Sequence, residues 1–278
     1  MAAKASVLNR VETVSIDTDT VLISLNSTVY SSSYKHKITI HIRGVPIAGE
    51  DDISWSTGTA QRTVTISAET KEGVQKYMFE DKSVTATFVL ATYNGSTLID
   101  TSSKTATIRT KAANSAPLFS EFTCTDSNST TSAVTGGNPY YIQGYSTVKI
   151  TPGTATSRNW SHITKYTAVC NGVSVSNIDG GILTLGTIPK SGDITVKVTV
   201  TDSREYTRSV SKTITVIPYD RPNVYSVTLR RTNEIESEFS LYSVVQFQQL
   251  PLIVQTKTVL NQSVTDTRKQ THHHTEIL

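Results

Sequence analysis

Ser83-Val-Thr-Ala-Thr-Phe-Val-Leu-Ala-Thr-Tyr93, followed at once by Asn94-Gly95, is the stretch whose reading decides the fold. Val84, Ala86, Phe88 and Leu90 fall on one side of an extended chain, with Thr85 and Thr87 between them. A period of two gives a strand with one buried face. Asn94-Gly95 adopts positive φ readily, which suits the two-residue turn joining twisted antiparallel strands. Ser96-Thr-Leu-Ile-Asp100 begins the return, and Thr105-Ala-Thr-Ile-Arg109 completes it. Upstream, Lys37-Ile-Thr-Ile-His-Ile42 alternates in the same way, as does Arg62-Thr-Val-Thr-Ile-Ser67 with Val64 and Ile66 inward. This is antiparallel β structure.

One interruption has a different period. Val74, Tyr77 and Met78 are spaced i, i+3 and i+4, opposite Lys71, Glu72, Gln75 and Lys76. That spacing predicts a short amphipathic helix between Ala68 and Phe79, crossing one end of a sandwich. Further on, Asp193-Ile-Thr-Val-Lys-Val-Thr-Val-Thr201 sets Ile194, Val196, Val198 and Val200 inward. Asp202-Ser-Arg-Glu205 reverses the chain into a last strand ending at Ile217. Lys111-Ala-Ala-Asn-Ser-Ala-Pro117 and Ile217-Pro-Tyr-Asp-Arg-Pro222 punctuate the chain, about a hundred residues apart, the span of one immunoglobulin-like sandwich.

The fold expected is therefore all-β: two tandem β-sandwich domains, the second Ig-like, with one short helix in the first. The expected division is 1–113 for the first sandwich and 114–219 for the second. Residues 220–278 are expected to start a further module and then run into a poorly structured tail. Gly192 is the last glycine, and glutamines crowd the end. Leu241 to Phe247 and Leu250 to Val254 are the two segments there that suit strands or docking.

Composition agrees with this frame. Of 278 residues, 37% are hydrophobic and 18% charged, and Ser with Thr supply roughly a quarter, favouring pleated surfaces over helices. No run of about 18 apolar residues exists to span a membrane. A net charge of +3 without a basic block argues against a nucleic-acid partner. The opening Met1-Ala-Ala-Lys has no apolar h-region, so a cleaved secretory signal is not expected. Cys124 and Cys170 are read as two free thiols of a chain made in a reducing cytosol.

Val198-Thr-Val-Thr-Asp-Ser-Arg204 and Lys212-Thr-Ile-Thr-Val216, closed by Pro218 to Pro222, resemble the last two strands of Ig-like modules in siphophage minor structural (tail-associated) proteins. Ser31-Ser-Ser-Tyr-Lys-His36, Ala91-Thr-Tyr-Asn-Gly-Ser-Thr97 and Tyr141-Ile-Gln-Gly-Tyr-Ser-Thr-Val-Lys149 are similar to the same family. The resemblance runs from about residue 25 to 235. It implies a virion protein made in the bacterial host cytoplasm, without an assigned activity.

The sequence holds no Gly-rich phosphate cradle, no Gly-x-Ser-x-Gly elbow and no His-Glu-x-x-His pair, so an enzyme is not expected and no cofactor is assigned. His272-His273-His274 and Glu50-Asp51-Asp52 are read as a polar tail and a solvated acidic turn, not as metal sites. Tyr140, Tyr141, Tyr145 and Trp160 are the candidate surface-contact residues, because loop aromatics serve adhesive surfaces. The expected function is a non-enzymatic phage virion structural protein, a tail-associated spacer or decoration that touches the host. Its expected partners are other tail proteins, copies of itself and host cell-wall glycan, with no nucleic acid and no membrane. The alternative is a carbohydrate-binding or adhesive Ig-like module of a bacterial surface protein, against which the missing signal and anchor count.

Overall fold

The computed structural model describes residues 3–137, 139–231, 239–246, 261–267 and 270–276. The first sandwich comprises β1 (Val7–Val11), β2 (Val14–Ser15), β3 (Leu22–Val29), β4 (Lys35–Ile42), β5 (Val45–Ser54), β6 (Gly58–Thr65), α1 (Ala68–Tyr77), β7 (Ser83–Asn94) and β8 (Thr97–Arg109). A three-stranded sheet in the order β1-β3-β6 faces a five-stranded sheet in the order β2-β8-β7-β4-β5. Ile23 and Leu25 from the first meet Ile38, Ile40, Ile42, Phe88 and Leu90 from the second in one buried core. Each such side chain contributes about 1.5–3 kcal/mol on burial.

The β7–β8 hairpin forms as read, with its turn one residue later than the Asn-Gly pair suggested. Asn94 pairs with Thr97, so Gly95 and Ser96 are the central residues. Gly95 alone takes positive φ, +60°, as a glycine-first turn requires. Helix α1 also forms where its period placed it. The Ser67 hydroxyl accepts from the Thr70 N–H at 3.1 Å to cap it, and Val74 and Met78 are fully buried.

The second sandwich comprises α2 (Ala112–Ser115), β9 (Phe122–Asp126), α3 (Ser129–Thr135), β10 (Tyr140–Ile142), β11 (Thr147–Pro152), β12 (Ile163–Cys170), β13 (Val173–Asn177), β14 (Leu183–Thr187), β15 (Gly192–Asp202) and β16 (Thr207–Ile217). Its sheets run β14-β11-β9 and β10-β16-β15-β12-β13. Val196, Val198 and Val200 lie opposite Cys170, Ala168 and Tyr166 and are buried, as the alternation required. Two helices were not read from the sequence. α3 hides in a Ser/Thr run of poor helix propensity, yet Asn128 caps its start and Gly136, at φ +73°, ends it.

Residues 220–278, expected to start a further module and then run into a poorly structured tail, carry four strands among their described residues. β17 (Asn223–Arg231), β18 (Phe239–Gln246), β19 (Asn261–Thr267) and β20 (Gln270–Glu276) form a four-stranded sheet in sequence order. Turn glycines ease strand reversal, but the ladder itself needs only extended backbone and a partner. Val224, Val227, Leu229, Leu241, Val244 and Val245 are all exposed, so β17 and β18 join neither buried core. The expected segment Leu250 to Val254 lies outside the described residues.

Candidate functional site: a clamped seam

The second sandwich reaches the first through one buried cation. Arg204, in the β15–β16 turn, is 1% exposed. Its guanidinium donates to the carbonyls of Met78 at 2.9 Å and Gln75 at 3.4 Å, at the carboxyl end of α1. It also donates to the carbonyls of Arg158 at 3.2 Å and Asn159 at 2.5 Å in the second sandwich. The last carbonyls of a helix lack partners within it, and a cation there is favoured by the helix dipole. Burial lowers the Arg204 pKa from its ordinary value, while Asp202, Tyr206, Asp17 and Asp81 oppose that shift. Guanidinium stays charged in proteins, so this is a permanent buried cation.

Neighbouring contacts close the same seam. Asp202 Oδ1 accepts from the Arg204 and Tyr206 N–H groups, at 3.0 and 2.8 Å. The Ser203 hydroxyl donates to the Phe79 carbonyl at 2.5 Å, and the Tyr206 and Thr110 hydroxyls are 3.1 Å apart. On the linker, Asp17 Oδ2 accepts from the Lys111 N–H at 2.6 Å and the Ser115 hydroxyl at 2.9 Å. Asn159 Nδ2 donates to the Asn114 carbonyl at 3.2 Å and to Ser115 Oγ at 3.0 Å.

This clamp holds a strained loop. Asn159 and Trp160 both take positive φ, +50° and +66°. Asparagine tolerates that conformation; for tryptophan it costs on the order of 1–3 kcal/mol. Trp160 is 52% exposed, with Lys76 Nζ 4.3 Å from its ring centroid. Phe79, close in sequence to Lys76, and His162, close in sequence to Trp160, pair across the seam, their rings 5.9 Å apart.

The four candidate aromatics do not form one surface. Tyr141 is 0% exposed and belongs to the second core, which removes it as a contact residue: β10 pairs with β16 and turns this ring inward. Tyr140 is half-buried on the same strand. Tyr145 packs edge-on against Tyr219 at 5.0 Å, and its hydroxyl accepts from Arg221 Nε at 2.5 Å. Trp160 alone of the four is well exposed. Arg204, Asn159, Phe79 and Asp17 escaped sequence reading; the Asp202-Ser-Arg-Glu205 turn was legible, but not that its arginine points into another module.

A family model described as "Siphovirus protein of unknown function (DUF859)" matches residues 5–272. The chain belongs to this siphovirus family. No curated protein matches the sequence. Among solved structures, the fibronectin(III)-like modules of Clostridium thermocellum CbhA are 13% identical, covering 77% of this chain and 94% of theirs, at a TM-score of 0.30. A tetra-tandem repeat from the extending region of a large adhesion protein is 14% identical over 96% of this chain and 66% of its own, with a TM-score of 0.34. A Ca2+-stabilized adhesin of an Antarctic bacterium is 12% identical, covering 96% and 63%, with a TM-score of 0.31.

In the siphovirus protein two residues of the acidic turn are engaged structurally. Glu50 accepts from the Ser67 N–H at 2.7 Å, and Asp51 pairs with Lys37 at 2.9 Å. Cys124 and Cys170 are buried and not joined in a disulfide, and burial pushes the Cys124 thiol up to about 11. No group of three His, Cys, Asp or Glu among the described residues is placed to hold a metal. No described helix is long and apolar enough to cross a membrane.

Proposed function

We propose that this siphovirus protein is a non-enzymatic structural part of the virion, a tail-associated spacer made in the host cytoplasm that also meets the host surface. The observation that carries the reading is the Arg204 seam. A buried guanidinium bonded to carbonyls of both sandwiches resists bending at the joint, because any opening leaves a charge and several carbonyls unpaired. A spacer transmits position and needs such a joint; an enzyme needs convergent reactive groups. Other tail proteins and further copies of the chain are its proposed partners, with host cell-wall glycan as the surface met. The exposed, strained Trp160 supports the contact role.

Immunogold labelling and mass spectrometry of purified particles test the assignment. The expected result is label on the tail and peptides at a fixed stoichiometry. A protein absent from purified virions would overturn it.

A further inference from the structure

Beside the seam, the linker and the second sandwich enclose a cleft of about 550 Å³. Its lining includes Pro117 and Leu118 after α2, Thr154, Thr156 and Arg158 from the loop before β12, and Arg208 on β16. Two guanidiniums and no carboxylate line it. Arg43, Arg62, Arg204 and Arg221 all donate to acceptors within the protein. The side chains of Arg158 and Arg208 make no hydrogen bond or ion pair among the described residues. Two unpaired like charges lining one cleft repel each other, and an anion between them reverses the sign of that interaction.

The frame around them is set in advance. Leu118 and Thr156 exchange backbone hydrogen bonds of 2.8 and 3.0 Å. The Arg158 carbonyl is held by Arg204 and also accepts from the Ser161 N–H and hydroxyl. Less ordering is then left for the moment of binding. Leu118 is 56% exposed, an aliphatic surface beside the cations, and Thr154 and Thr156 add hydroxyls.

We propose that this cleft binds a phosphodiester of a polyol or sugar chain. Arg158 and Arg208 receive the phosphate through paired N–H donors, and the carbon chain lies on Leu118. Its hydroxyls meet the threonines. The cleft has two cations and no exposed aromatic for base stacking, which favours a polyol phosphate over single-stranded nucleic acid. This inference rests on the host-contact part of the proposed function and names the chemistry of that contact.

Calorimetric titration of the full chain with poly(glycerol phosphate) is the test, with melting temperature as the check on folding. Arg158→Gln and Arg208→Gln should each weaken binding about tenfold, the loss of one charge-assisted contact. The double variant should not bind, whereas Lys104→Gln, the same charge loss elsewhere, should bind like the native chain. Equal binding by the double variant overturns the proposal. So does tighter binding of a single-stranded oligonucleotide or equal binding of polyglutamate. Sedimentation with host cell walls separates the two readings. Native and double-variant proteins that bind walls equally would sink the cleft and leave host contact standing. A native chain that binds the polymer but no walls would leave the cleft standing and remove host contact.

Discussion

His36 sits on the inward face of β4, in line with Ile38, Ile40 and Ile42, and is buried. Its Nδ1–H donates to the Ile53 carbonyl at 3.2 Å, so Nε2 accepts from the Ser6 hydroxyl at 2.9 Å, and the ring lies 4.9 Å from Trp55. Burial lowers its pKa from the ordinary 6.5; the Ile53 carbonyl opposes this and the Arg62 guanidinium adds to it. A lowered folded value means stability is intact above about pH 6.5 and drains away as pH falls through the folded pKa. Urea midpoints measured between pH 5 and 8 should show that loss, and His36→Gln should flatten it; an unchanged slope refutes the assignment. Arg204→Ala should cost about 3–5 kcal/mol, the usual consequence of removing one partner from a buried charged network, with Arg204→Lys recovering part. Denaturant unfolding would measure both. Thiol labelling should find two cysteines in the denatured, unreduced chain and little reaction in the folded one, where burial raises both thiol pKa values.

At the scale of elements, the β5 edge carries features that blunt it. Pro46 lies in β5, at the edge of the five-stranded sheet. The same edge carries two register shifts. At Gly49 a Cβ would stand 2.5 Å from the Ile38 carbonyl oxygen, so glycine is required there. Proline and bulges deter pairing along an edge. Linker chemistry also separates the two punctuated segments. Lys111 to Ser115 is bonded to Asp17 and Asn159. Limited subtilisin digestion should therefore cut near 218–222 before it cuts 111–117, and Arg204→Ala should expose the latter. Primary cleavage of the native chain at 111–117 would show the clamp to be ineffective.

For the whole molecule, the seam couples two cores that share no buried residue. Calorimetry should show the native sandwiches melting together and the Arg204→Ala protein melting in two steps. Two well-separated native transitions would contradict the coupling. Solution scattering should likewise give a narrower distance distribution for the native chain than for the variant.

Strand period two, the i, i+3, i+4 stripe of α1 and, to within one residue, the β7–β8 turn were legible because each arises from neighbours in the chain. The all-β fold and its paired sandwiches follow from them. Tyr141 shows where local reading stops. Nothing beside it in sequence distinguishes it from Tyr140, and its burial is decided by β16, about seventy residues away. Arg204 makes the same point for the seam, since Met78 and Gln75 lie more than 120 positions upstream. Arg158 and Arg208 likewise look like ordinary surface cations until the linker and β16 close around one cleft. Alternation and capping are short-range and leave a pattern in the sequence. Which cation meets which carbonyl, and which cation is left without an acceptor, depends on packing between distant segments, and only the tertiary structure decides it.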